Sequence, residues 1–206
     1  MSTRTSFEDL VRFDCEKRKH PIRLIAGVDE AGRGALAGPV VAAAVICDPH
    51  EDLLRVRDSK LLSEPVREEL YELICRRSLD YRVGIIGPEE IDRWNILRAT
   101  LEAMRCAISA LEIVPCFVLV DGRHLPRVER PAETVKGGDR KSFSIAAASI
   151  VAKVTRDRIM RERDREYPGY GFRRNKGYGT REHIRAIRRR GFTTFHRRSF
   201  QIRSLG

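Results

Sequence analysis

The sequence predicts an α/β fold: a mixed sheet flanked by helices, with a small helical segment towards its C-terminal end. Three observations carry that expectation. Strand-like runs come first and then alternate with helical ones, the order that builds an α/β layer structure. Pro39-Val40-Val41-Ala42-Ala43-Ala44-Val45-Ile46 is a continuous apolar run, short enough for a strand covered on both faces. Two predicted strands close on acids, Asp29-Glu30 and Asp121, with glycine close behind.

Residues 1–20 read as an N-terminal arm or helix, docked by Phe7, Leu10, Val11 and Phe13. Ile22-Arg23-Leu24-Ile25 opens a buried strand that runs to Asp29-Glu30. Side chains on a strand alternate between its faces, so these two acids converge only if the chain turns there, which Gly32 and Gly34 allow. Joined by this Gly-rich turn, the run from Pro39 pairs antiparallel with the first. Ser63 caps a helix from Glu64-Pro65 to about Arg77, and Tyr81 to Ile86 is the third strand. Pro88, Glu89 and Glu90 open a further helix that continues after Asn95 through Ala110. Phe117 to Gly122 is a fourth strand, and Thr134-Val135 is a short extended piece. Ser144 to Tyr167 is a long helix whose small-residue first half suits close approach to a sheet; its charged second half, Arg156 to Glu166, reads as a solvated end.

Beyond Pro168, Gly169, Gly171, Gly177 and Gly179 alternate with Tyr170, Phe172 and Tyr178 and with Arg173, Arg174 and Lys176. A helix over Arg181 to Arg190 and the run Phe195 to Phe200 follow. Cations interleaved with aromatics are the mix that tracks phosphates while stacking on sugars or bases. The domain organisation expected is an arm at 1–20, a catalytic α/β domain at 21–166 and a basic, aromatic substrate-binding segment at 167–206.

The chain has 206 residues, enough for one full core, and 42% of them are hydrophobic. Forty Lys and Arg against 29 Asp and Glu leave a net charge of +11, which suits a polyanionic partner; plain solubility is the competing explanation. No apolar signal core or membrane-length run is present. Cys15, Cys47, Cys75, Cys106 and Cys116 are widely spaced, fitting reduced thiols in a cytoplasmic protein better than zinc ligands or disulfides. His183 and His196 stand among arginines, where phosphate contact or surface exposure is expected. No P-loop, dinucleotide fingerprint or Ser–His–Asp set is visible.

Asp29, Glu30 and Asp121 fall at carboxyl ends of predicted strands, and Asp139 precedes the long helix. Converging carboxylates without His or Cys neighbours make a hard oxygen site for Mg²⁺ or Mn²⁺. On a basic protein that site points to two-metal phosphodiester hydrolysis, the ions roughly 4 Å apart. Any single acid could equally be a cap or an ion-pair partner. Asp157, with Lys153 and Arg161 four residues either way, reads as an ordinary helix ion pair. Arg33 could serve only to neutralise the acids, whereas Tyr178 between two glycines suits surface stacking.

With these residues in view, the chain resembles ribonuclease HII, the type 2 ribonuclease H of bacteria. The matching motifs are Val28 to Gly34, Gly38-Pro39-Val40, Asp58-Ser59-Lys60, Val120-Asp121-Gly122, Lys136 to Asp139, Ala146 to Asp157, Tyr167-Pro168, Lys176 to Thr180 and His196 to Phe200. They run in the family's order from about residue 22 to 200, departing from it in the doubled glycine before Asp139. The resemblance implies an RNase H-like fold with a five-stranded mixed sheet. It implies an endonuclease that cuts RNA in RNA–DNA hybrids and 5′ to single ribonucleotides in duplex DNA, leaving 3′-OH and 5′-phosphate, in ribonucleotide and primer removal. Asp29, Glu30, Asp121 and Asp139 would be the catalytic, metal-binding quartet. Gly32-Arg33-Gly34 would sense the ribose 2′-OH through its backbone, Tyr178 would stack on the following sugar, and Lys60 would contact phosphate. A monomer is expected, with no membrane partner. The alternatives are a non-catalytic nucleic-acid-binding module and another nuclease of the same fold, such as a junction resolvase or a type 1 enzyme. No clamp-binding peptide is recognisable in Gln201 to Gly206.

Overall fold

The computed structural model describes residues 5–17 and 24–201. The beginning of the first predicted strand, Ile22-Arg23, and the segment after Gln201 lie outside the described residues. Five strands form one mixed sheet: β1 (Ile25–Ala31), β2 (Val40–Ile46), β3 (Asp80–Ile86), β4 (Phe117–Asp121) and β5 (Ala132–Val135), in the order β3-β2-β1-β4-β5. The β1–β2 and β2–β3 pairs are antiparallel, while β1–β4 and β4–β5 are parallel. The antiparallel opening pair is the one expected from the Gly-rich turn.

Apolar cover on both faces explains the unbroken hydrophobicity of β2. Ala43 and Val45 face the long helix α5 (Phe143–Glu166), packing with Phe143, Ala147, Ile150 and Val151. Val40, Ala42, Ala44 and Ile46 face the opposite way, onto Ala99, Ala103, Met104 and Ala107 of helix α4 (Ile96–Ser109). This alternation also sorts β1: Ala26 and Val28 lie with the α4 layer, Ala31 with the α5 layer. Helix α3 (Pro88–Trp94) precedes α4, and Asn95 breaks the pair at φ 73, accepting the Arg98 N–H at 3.1 Å.

The N-terminal arm contains helix α1 (Phe7–Lys17), anchored by Leu10 and by Asp14, which accepts the N–H and hydroxyl of Ser144 at 2.8 and 2.7 Å. Helix α2 (Glu64–Arg77) starts after Ser63 as expected, but Ser63 makes no side-chain cap bond; its carbonyl takes the Arg67 N–H instead.

Two expectations for the C-terminal third are corrected. Tyr170 and Phe172 do not face outward for stacking; they form a buried cluster with Met160, Ala186 and Ile187. Met160 of α5 joins that cluster, and Arg156 and Asp157 are also buried, so only the end of α5 is solvated as expected, at Glu162, Arg163, Arg165 and Glu166. Asp157 pairs with Lys153 at 2.6 Å, while Arg161 turns to Glu64 and Glu68. The short helix α6 (Phe172–Asn175) and helix α7 (Arg181–Arg190) close the described chain.

At Gly27 the α5 backbone comes so close to β1 that an added Cβ would lie 2.0 Å from the Ser144 carbonyl carbon. Because the obstacle is main chain, no rotamer change relieves it. Gly27→Ala is expected to cost about 3 kcal/mol or more, roughly 6 to 12 °C in Tm. An unchanged melting temperature would show that α5 does not sit on β1 in this way.

Candidate active site

The parallel register of β1 and β4 builds the site. Val28 pairs with Val120, so the next residues, Asp29 and Asp121, emerge side by side on the α5 face. One oxygen from each of Asp29, Glu30 and Asp121 lies within 4.8 Å of the other two. The expected turn between Asp29 and Glu30 is absent, since β1 remains paired through Ala31. The acids meet without it because they stand near the strand's end, where Glu30 has the longer reach and Asp29 folds along the chain. Asp29 Oδ1 accepts the Glu30 N–H at 2.7 Å.

Asp139 takes a different position. It sits in a 3-10 turn, Gly138–Arg140, and stands outside the 4.8 Å group. Asp121 Oδ1 accepts the Gly138 N–H at 2.6 Å, which ties this turn to the acids. The Asp139 carboxylate faces Lys60 Nζ at 3.1 Å and Arg140 Nε at 3.9 Å. Lys60 is brought there by its own 3-10 turn, Ser59–Leu61, whose N-cap Asp58 accepts the Lys60 N–H at 2.9 Å. Ser59 anchors that turn to α5 through Ser149, hydroxyl to hydroxyl at 2.9 Å.

Burial, followed by the neighbouring charges of Glu30 and Asp121, pushes the Asp29 carboxyl well above its usual range. Burial and Asp121 also raise Glu30, although Arg33 beside it at 3.4 Å works the other way. Asp139 is raised by burial and Asp58 against the opposing pull of Lys60. Carboxylates that resist ionising together, with oxygen as the only donor, fit a hard divalent cation: its charge removes the repulsion that raises them.

The Gly32-Arg33-Gly34 loop divides into a structural and an exposed half. Gly32 is buried at φ +98, and an added Cβ would lie 2.0 Å from the guanidinium of Arg156. Arg33 and Gly34 are exposed, and a Cβ at Gly34 would meet nothing within 4 Å. Tyr178 is half-buried and joined to this loop: Leu36 N–H and Ala37 N–H both donate to the adjacent Gly177 carbonyl. Its ring has the Arg156 guanidinium 5.3 Å and Lys153 Nζ 5.9 Å from its centroid.

Sequence reading missed the groups that hold these loops together. Arg156 is fully buried and donates to the carbonyls of Pro39, Lys176 and Ala37 at 2.9, 2.9 and 3.0 Å. Its signal was available: it continues the buried stripe of Ser149 and Ala152 at helical spacing, a charge where apolar side chains belong. Arg197, also buried, donates to the carbonyls of Gly38 and Arg33, both at 2.9 Å. Nothing in the sequence separates it from Arg198 beside it.

His183 and His196 are neither surface groups nor phosphate contacts in this structure. Both are buried, with their Nε2 atoms 3.1 Å apart. His183 Nδ1 lies 2.9 Å from the Tyr178 carbonyl, which only accepts, so that nitrogen carries the proton. His196 Nε2 therefore donates to His183, leaving His196 Nδ1 to accept from the Thr193 N–H at 3.0 Å. Burial, then His183, pushes His196 down to about 4, consistent with this neutral chain.

A helix-flanked, five-stranded mixed sheet with strand-end carboxylates defines a protein of the RNase H-like fold. A sequence profile of the ribonuclease HII family matches residues 26–203, and the chain belongs to that family of ribonuclease H endonucleases. It is 53% identical over 176 residues to the ribonuclease HII of Clostridioides difficile strain 630, covering 85% of this chain and 69% of that one. It is 53% identical over 192 residues to the ribonuclease HII of Syntrophus aciditrophicus, covering 93% and 91%. The RNase HII solved in a complex with PCNA from Archaeoglobus fulgidus superposes with a TM-score of 0.73 at 28% identity, over 87% of this chain and 96% of that one.

Because Asp29 is raised in the folded state, that state holds the extra proton, and the stability it contributes is lost as pH rises through the folded pKa. Asp29→Asn is therefore expected to gain in Tm relative to the metal-free wild type as pH rises above the ordinary carboxylate value of about 4. Mn²⁺ at a hundredfold excess over its Kd should stabilise the wild type by about 2.7 kcal/mol and the variant far less. Equal Mn²⁺ shifts in a calorimetric titration would remove Asp29 from the metal-binding set.

Proposed function

We propose that this chain is a divalent-metal-dependent ribonuclease that cuts RNA in RNA–DNA hybrids and 5′ to single ribonucleotides in duplex DNA, leaving 3′-OH and 5′-phosphate. The observation that carries this reading is the juxtaposition of three carboxylate oxygens within 4.8 Å of one another with an exposed Arg33–Gly34 backbone on the loop that follows them. Asp29, Glu30 and Asp121 would hold Mg²⁺ or Mn²⁺, with Asp139 beside them. Two such ions, when bound, supply water activation and charge neutralisation at the leaving 3′ oxygen.

The protein's own groups orient the substrate around that point. Distinguishing RNA from DNA needs a contact with the 2′-OH, which backbone N–H and C=O groups of a glycine-flanked loop can make at close range. Tyr178, half-buried and backed by two cations, presents a ring for the sugar of the following nucleotide. Lys60 is mostly exposed despite its contact with Asp139, so its ammonium is available to a phosphate approaching the acids. Arg173, Arg174, Arg181 and Arg185 lie on or beside α6 and α7, suiting the C-terminal segment to the flanking duplex. A binding module with no chemistry would gain nothing from carboxylates that repel phosphate.

The test is cleavage of duplex DNA carrying one ribonucleotide, with Mg²⁺ or Mn²⁺ and an all-DNA control. A single cut 5′ to the ribonucleotide is expected; cleavage of long hybrids alone would indicate type 1-like specificity, and binding without cutting would support the module. Asp121→Asn should lose cleavage while retaining substrate binding, and wild-type turnover would refute the metal role. Tyr178→Ala should weaken binding of the ribonucleotide duplex by about 1–3 kcal/mol, and an equal loss on all-DNA duplex would refute a ribonucleotide-directed role.

A further inference from the structure

We propose that Arg197 is a positioning residue for ribose discrimination: it fixes the Arg33–Gly34 peptide so that the Gly34 N–H faces the incoming sugar. The inference rests on the 2′-OH reading proposed above and supplies the group that makes the contact specific.

The geometry of one peptide bond carries it. In a planar trans peptide the C=O and the following N–H point to opposite sides. The Arg33 carbonyl is turned inward, accepting from Arg197 Nη1 at 2.9 Å. The Gly34 N–H, on the same peptide, is thereby turned outward. The outward side is free, since Gly34 is exposed and its N–H meets no acceptor among the described residues. An N–H presented to open space beside the acids is a donor that a ribose O2′ can accept and a deoxyribose cannot.

Arg197 holds more than one point of the loop. Its Nε donates to the Gly38 carbonyl at 2.9 Å, so one rigid fork spans Arg33 to Gly38. Its own N–H donates to the Leu36 carbonyl at 2.9 Å, between those two grips. The segment carrying Arg197 is fixed in turn by Asp92 on α3, which accepts the N–H groups of Arg198 and Ser199 at 2.8 and 2.9 Å and the Ser199 hydroxyl at 2.6 Å. A chain of contacts therefore runs from Asp92 through Arg197 to the Gly34 N–H.

Stability alone is a poor reason for this arrangement. Arg197 is 1% exposed, its hydrogen-bond partners are carbonyls rather than a carboxylate, and its Nη2 is buried without a hydrogen-bond partner among the described residues. Burial, then the nearby Arg156, pushes its guanidinium down to about 9. Such a group costs folding free energy that an apolar side chain of similar size would not. What it provides is a fixed orientation.

The test measures affinity in metal-free buffer for two matched duplexes, one with a single ribonucleotide and one all-DNA. The wild type is expected to favour the ribonucleotide duplex. Arg197→Lys keeps the charge but cannot span both carbonyls; its preference should fall toward one while its all-DNA Kd stays within about twofold of wild type, a change well under 1 kcal/mol. A folded Arg197→Lys that keeps the wild-type preference overturns the proposal. Should that variant fail to fold, Asp92→Ala on the exposed side of the clamp is measured the same way. A reduced preference supports the role, and an unchanged one overturns it. A wild type without any preference would remove the ribose-reading premise itself, an outcome visible before any variant is measured.

Discussion

Carboxylates brought within 4.8 Å of one another repel, and at this site Asp29 and Glu30 are both raised by burial and by the neighbouring charge of Asp121. Something has to hold them there, and the sheet does so through backbone pairing that the side chains cannot undo. Val28 opposite Val120 forces Asp29 beside Asp121, and β2 holds β1 extended through Ala31, so Glu30 cannot swing away with a turn. Both strands are covered on either face by α4 and α5, so slipping the register to relieve the repulsion would expose the apolar rows of β1 and β4. The Asp121–Gly138 hydrogen bond then brings the Asp139 turn to the same edge. A fold that keeps this repulsion in its metal-free state gives up stability for function.

Around the acids, the loops are held by cations rather than by ion pairs. Arg156 and Arg197 donate to five backbone carbonyls spread over residues 33–39 and 176. Carbonyls accept without contributing negative charge, so these bonds fix backbone direction while leaving the positive field intact. The His183–His196 chain does the same for the Tyr178 carbonyl in a neutral form. It works against the acids in its pH dependence. Groups held below their ordinary value contribute stability that is lost as pH falls, whereas the raised carboxylates lose theirs as pH rises.

Most of the fold was legible because apolar runs and their punctuation are local. The unbroken run through Ala42 and Ala44 told of a two-sided strand, and the glycines after Glu30 told of the antiparallel return. The three acids at strand ends were legible for the same reason, since a charge at the end of a buried strand stands out. How they meet was not, because convergence depends on the register between β1 and β4, which are far apart in sequence. Tyr170 and Phe172 looked like stacking groups from their glycine and arginine neighbours; only the fold of the C-terminal segment onto Met160 turned them inward. Arg197 was illegible altogether. A buried arginine satisfied by carbonyls has the same local sequence as an exposed one, and the difference lies in which distant backbone it meets.

A net charge of +11 and a cluster of carboxylates pose opposite problems to a polyanionic substrate, and the layout answers both. Under the proposed function, phosphates would be drawn by the arginines of α6 and α7 and by Lys60, yet the point where they converge is acidic. Without a cation, acids at that point would repel a phosphate backbone, so under the proposed function substrate approach and metal occupancy would be electrostatically linked: each would lower the cost of the other. Sugar identity cannot be read by that field, since RNA and DNA carry the same charge per phosphate. It has to be read by a short-range donor or acceptor of fixed direction, and an uncharged peptide held from behind by Arg197 meets that requirement. On that proposal charge would bring any duplex to the site, and backbone orientation would be left to distinguish the sugars.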